Sequence, residues 1–146
     1  MKDTDPINHE EHDIEKLKDL EDALGKGGMT TEDQDYAIMC AIRDIMRDLA
    51  KDPKLEPVKV TKKGLERKGH TPRVVDELMK LKKIYDEVSD GKPVDIAHLR
   101  AEMDDIMEEM EQDVRIKKSE REINILKEDI KIKTDDVNTL RDLENQ

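Results

Sequence analysis

From Pro93 onward the chain is almost entirely helix formers, and its apolar residues recur every three or four positions. Ile96, Leu99, Met103, Ile106 and Met110 form a first set; Ile116, Ile123, Ile130 and Val137 repeat every seven, with Leu126 and Leu140 three residues after two of them. A helix carrying such a stripe must cover it, because apolar surface left in water costs about 25 cal/mol per Å². The two sets do not share one register, since seven residues past Met110 lies Lys117 rather than Ile116. That mismatch predicts a bend, skip or break near residues 111–119. Asp113, Ser119 and Lys133 weaken the seam. Ile123-Asn-Ile125 and Ile130-Lys-Ile132 also alternate as strand edges do, so a short terminal strand stays open beside the helix.

The rest of the 146-residue sequence points the same way. It has no Phe, no Trp and two Tyr, with 34% hydrophobic and 45% charged residues, too little bulk to fill a wide core. Long helices packed along narrow seams fit that composition, and the expected class is all-α. The single cysteine excludes an internal disulfide and a Cys-based zinc site and suits a reducing compartment. Met1-Lys-Asp-Thr-Asp leads into an acidic stretch, so no secretory signal is expected. The longest apolar run, residues 36–42, is far too short to span a membrane. A cytoplasmic protein is expected, in host cytoplasm if the chain is viral.

Charge divides the chain into three. Residues 1–50 carry a net −8, residues 51–83 a net +6 and residues 84–146 a net −9, giving −11 overall. A basic island between acidic arms attracts polyanions, chiefly nucleic acid. The alternative is that the island pairs with the protein's own acidic arms.

Three regions follow. Residues 1–28 read as an acidic, partly disordered arm with a short helix: Asn8 and Glu11 resemble a capping box, Ile14, Leu17, Leu20 and Leu24 a stripe, and Gly25, Gly27 and Gly28 a stop. It is expected to be an appendage that screens the basic island. Residues 29–91 read as a helical DNA-binding-like unit. Thr31 with Gln34 signals a helix start, and Ile38, Ala41, Ile42, Ile45 and Leu49 form its apolar face, ending before Pro53. Met39 and Met46 widen that face, and Cys40 beside it reads as a packed thiol. Val58 and Val60 suit a very short strand or lead into one helical turn over 61–68. Thr71-Pro72 reads as N-cap and first residue of a helix with Val74, Leu78, Leu81, Tyr85 and Val88 as its seam, stopping at Asp90-Gly91. Residues 92–146 read as a long helical oligomerisation region with an acidic tail.

The order helix, short helix, Gly69 turn, helix resembles a helix-turn-helix. Lys62, Lys63, Arg67, Lys68 and Arg73 can reach phosphates, while Arg73, His70 and Thr71 can reach base edges. Lys68 and His70 stand where such motifs usually bury apolar residues, so a plain basic loop joining two helices stays open. Residues 64–71 also show Walker A spacing, but His70 replaces the phosphate-binding lysine and no convincing strand precedes it. His9 and His12 can share a helical face, yet a metal site needs a third ligand; they read as exposed polar residues, and no metal or cofactor is expected. His98 reads as a partner of Asp95 and Glu102. No catalytic constellation stands out, and no enzyme is expected.

The layout of residues 31–146, a helix-turn-helix-like unit, paired helices and an acidic helical tail, resembles small terminase subunits of tailed bacteriophages. Residues 57–78 followed by a coiled-coil-like helix are similar to KfrA-type plasmid DNA-binding proteins, although the helix here is much shorter. Both resemblances imply a homo-oligomeric, non-enzymatic binder of double-stranded DNA. The first implies viral genome packaging beside a packaging ATPase; transcription or partition control is the runner-up. A rival class is an acidic scaffold, assembly chaperone or DNA mimic acting through protein–protein contacts.

Overall fold

A computed structural model describes the backbone of residues 6–144 and the side chains of residues 7–132. It is all-α: α1 (Pro6–Lys26), α2 (Thr31–Ala50), α3 (Lys62–Arg67), α4 (Pro72–Ser89) and α5 (Ile96–Glu144), with a 3-10 turn at Pro57–Lys59 and no strand among the described residues. No helix of those residues is long and apolar enough to cross a membrane.

Side-chain oxygens set the helix starts. Thr30, one residue before the expected cap, accepts from the Asp33 N–H at 3.1 Å. Thr61 accepts from Gly64 and Thr71 from Val74, with Pro72 opening α4 as its sequence predicts. Asp95 Oδ1 accepts from Ala97 at 3.0 Å where α5 begins. Helix α2 stops as Lys51 turns left-handed (φ 54°) before Pro53.

Helices α1, α2, α4 and α5 pack as an antiparallel bundle in which each touches two neighbours. The ion pairs fix the directions. Glu10 and Glu21 of α1 meet Lys117 and Arg100 of α5, while Lys80 of α4 meets Asp105 and Glu109. The core is aliphatic throughout: Leu17, Leu20 and Leu24; Ile38, Ile42, Ile45 and Met46; Leu78, Leu81 and Ile84; Leu99, Met103, Ile106 and Met110. Leu55, Val60 and Leu65 tie the intervening segment to it. Tyr85 is half-buried at its edge and Tyr36 is exposed.

Three expectations change. Residues 6–26 are not an appendage: they form a 21-residue helix whose leucines enter the same core as α2, α4 and α5. The start at Pro6 leaves Asn8 inside the helix, and residues 1–5 lie outside the described residues. The boundaries at 28 and 91 therefore separate segments, not cores. Helix α5 runs unbroken through 111–119 and 123–132, so neither the break nor the strand forms. The register change marks the place where α5 leaves the bundle. Its first set faces inward; its second continues along the part of the helix that passes the start of α1.

Candidate functional site

The basic unit sits at one end of the bundle. Thr61 caps α3, a single short helix anchored by Leu65, and Gly69 (φ 86°) reverses the chain before Thr71 caps α4. A side chain at Gly69 is strained by that positive φ, so the turn is built around this glycine. Lys62, Lys63, Arg67 and Arg73 are exposed and, among the described residues, form no ion pair. Lys68 differs, lying 3.5 Å from Asp52. Two neighbouring cations are likewise engaged: Lys59 with Glu56 at 2.9 Å, and Lys82 with Asp86 and the Pro57 and Val58 carbonyls.

His70 and Thr71 serve the fold. His70 is half-buried and its backbone N–H donates to the Leu65 carbonyl, while the Thr71 hydroxyl oxygen is occupied by the Val74 N–H at 3.3 Å. Arg73 opens onto a cleft of about 410 Å³ with Asp76, Asp105, Glu108 and Glu109 on its walls. Lys80 bridges Asp76, Asp105 and Glu109 there at 3.3, 3.2 and 2.7 Å. Its ammonium is held charged well above the usual lysine range, chiefly by its hydrogen bond to Glu109, and Asp76 is held low by its own contact with Glu109. Four carboxylates beside α4 repel phosphates on that side.

The expected oligomerisation seam splits in two. Leu99, Met103, Ile106 and Met110 are fully buried in their own chain and Ile96 packs at the core's edge, so none is available to a second copy. Ile116, Ile123, Leu126 and Ile130 are exposed, from 38% at Ile116 to 64% at Ile130. Ile125 and Ile132, exposed as well, project about 180° away from the Ile116–Ile123 line at 100° per residue. Val137 and Leu140 lie outside the described side chains. His9 and His12 do not meet as ligands: both are exposed, and the residues between and beside them that turn inward are Glu10 and Asp13. His98 contacts Glu102, as its spacing predicts.

Acidic residues inside the bundle were not foreseen. Glu10, Asp13, Glu77 and Asp113 are all buried near the same end. Burial raises Glu10 to about 7, Asp13 to about 9, with help from nearby Asp48, and Glu77 to about 8, with help from the charges of Glu10 and Asp113. The signal was present as interrupted stripes. Residues 10, 13, 17, 20 and 24 keep one three-four spacing, as do 99, 103, 106, 110, 113 and 117, with acids or lysine in apolar places. No family model, curated protein or solved structure matches the chain.

Proposed function

We propose that this protein is an oligomeric, non-enzymatic DNA-contacting protein, with α3 and the adjoining turn meeting phosphates and the outer half of α5 joining copies. One observation carries the reading. In a chain of net charge −11, Lys62, Lys63 and Arg67 stand exposed on one short helix and form no ion pair among the described residues, although the charge of Lys62 is felt at Asp76. Self-neutralisation predicts ion pairs, and among the described residues Lys68 alone of the five candidate phosphate-contacting cations makes one. Contacts of this type are sequence-independent, so recognition of a particular site would have to come from DNA shape or from several units held in one assembly. Phage DNA packaging, with a packaging ATPase as partner, is the setting in which assembly and DNA contact would serve one task.

Reversal of Lys62 and Lys63 to Glu is expected to weaken binding to every duplex and to reduce the salt slope by about one per lysine, with the melting temperature kept. Gel shifts across a salt series and thermal melts on the same variant decide it. An unchanged affinity for DNA removes the reading.

A scaffold or assembly chaperone acting through protein contacts is the second reading, favoured by six exposed isoleucines and leucines on α5 in an otherwise charged surface. It predicts association without any affinity for DNA.

A further inference from the structure

Three helices deliver carboxylates to one buried point. Glu10 of α1, Glu77 of α4 and Asp113 of α5 place ligand oxygens within 4.8 Å of one another, at residue exposures of 3%, 0% and 6%. The arrangement is unusual in what it leaves undone. Among the described residues, both oxygens of Glu77, Oε1 of Glu10 and Oδ2 of Asp113 receive no hydrogen bond. Lys117 is the only cation within ion-pair range among the described residues, 2.8 Å from Glu10 Oε2 and 3.3 Å from Asp113 Oδ2. It forms no pair with Glu77. Lys80, the next ammonium along α4, is already shared by Asp76, Asp105 and Glu109.

Buried polar atoms are almost always satisfied, and a buried charge without a partner is among the costliest features a core can hold. Glu77 has neither a donor nor water-accessible surface, and its carboxylate points at two others. With all three carboxylates ionised, they and the one ammonium sum to −2, the charge that a divalent cation cancels as it displaces the protons that burial favours on Glu10 and Glu77.

We infer that Glu10, Glu77 and Asp113 form a binding site for a hard divalent cation that clips α1, α4 and α5 together at the end of the bundle where α5 departs. The donors are all carboxylate oxygens, with no cysteine or inward-facing histidine among them, which selects Ca²⁺, Mg²⁺ or Mn²⁺ over softer metals. Opposite oxygens around Ca²⁺ lie about 4.6–5.2 Å apart and around Mg²⁺ about 4.0–4.2 Å, from bond lengths of about 2.3–2.6 and 2.0–2.1 Å. Three oxygens cannot all be opposite one another, and separations at the 4.8 Å bound put each about 2.8 Å from a common centre, so Ca²⁺ needs at most a small closing movement and Mg²⁺ a larger one. Lys117 stays on Glu10 Oε2 as the outer partner and offsets the third negative charge. The site uses none of the residues assigned to DNA contact, so it stands or falls independently of that reading.

The test is Mn²⁺ titration of the full chain after dialysis against EDTA, followed by electron paramagnetic resonance, with Mg²⁺ and Ca²⁺ as competitors and thermal melts in parallel. One saturable Mn²⁺ per chain is expected, displaced by one of the competitors, with a melting temperature that rises on binding. Glu77→Gln, which keeps the side chain's shape, is expected to weaken binding by about tenfold or more and to melt no lower than the parent protein in EDTA. Asp113→Asn is the second variant and is expected to weaken binding likewise, while Glu111→Gln on the exposed face of α5 leaves it unchanged. Absence of saturable binding to the parent protein, or binding that survives both Glu77→Gln and Asp113→Asn, overturns the assignment. The carboxylates would then be held neutral by protons alone.

Discussion

Helix α5 contains two halves of similar spacing and opposite circumstance. Residues 96–114 give Leu99, Met103, Ile106 and Met110 to the bundle core, whereas residues 116–132 hold Ile116, Ile123, Leu126 and Ile130 in solvent. Both halves carry apolar residues three or four apart, and both look like coiled-coil seams in sequence. What separates them is supply. Alongside the first half run α1 and α4; past Lys118, which pairs with Glu11 near the start of α1, the described large apolar side chains of α5 are exposed. Periodicity declares that a face must be covered, and the partner is decided elsewhere.

The sharpest way to break the comparison is a matched truncation. Ile106→Ala is expected to cost about 2–5 kcal/mol in chemical denaturation, because it opens a cavity among close-packed aliphatic residues. Ile130→Ala, at the same chemical change, is expected to cost the bundle under about 0.5 kcal/mol. Equal losses at the two positions would mean that the outer half is folded against something as firmly as the inner one.

The pairing can next be sharpened from the outer side. Ile123→Lys with Ile130→Lys is expected to reduce the particle mass seen by light scattering to that of one chain while leaving the thermal transition of the bundle in place. A parent protein that is already monomeric at micromolar concentration would end the assembly reading. Retained association in the double variant would shift it to Ile125 and Ile132.

A smaller effect is expected where the halves meet, at the buried end of α1. Asp13 is raised to about 9, chiefly by burial. A carboxyl raised on folding binds its proton more tightly in the folded state, so its contribution is full below the unfolded value near 4 and falls as pH rises towards 9. Asp13→Asn removes that dependence. It is expected to gain on the order of 1–2 kcal/mol at pH 8 and nothing at pH 4, read from urea midpoints at the two pH values. A gain of equal size at both would point to packing rather than charge.

Much of the local structure was legible because its causes are local. Thr71-Pro72 opens α4, Asp90-Gly91 closes it, and Gly69 makes the turn, each through backbone preferences that a few neighbouring residues decide. The role of α1 was not, because its many charges outweigh its leucines in composition, while burial depends on the seven positions that face inward, four of them apolar and three acidic. The charged layer was hidden for a related reason. Asp113 reads as a weak point of an oligomer seam and Lys117 as the mark of its register mismatch, since nothing in the sequence of α5 reveals that Glu10 and Glu77 wait opposite them. The exposed cations of α3 were legible as charge, but that they form no ion pair among the described residues is a property of the folded surface alone.

The unbroken course of α5 makes the bundle and the outer stripe parts of one shaft. From Ser119 to Glu144 the helix continues for about 39 Å at 1.5 Å per residue. Whatever sets the rotation of the inner half therefore sets the azimuth of Ile123 and Ile130 at the far end. One residue added between the halves would turn the outer face through about 100° and lengthen the arm by about 1.5 Å, while seven would return it to within about 20° of its starting direction. The single-residue offset between the two apolar sets is thus a built-in angle, fixing which way any attached copy faces relative to the lysines of α3.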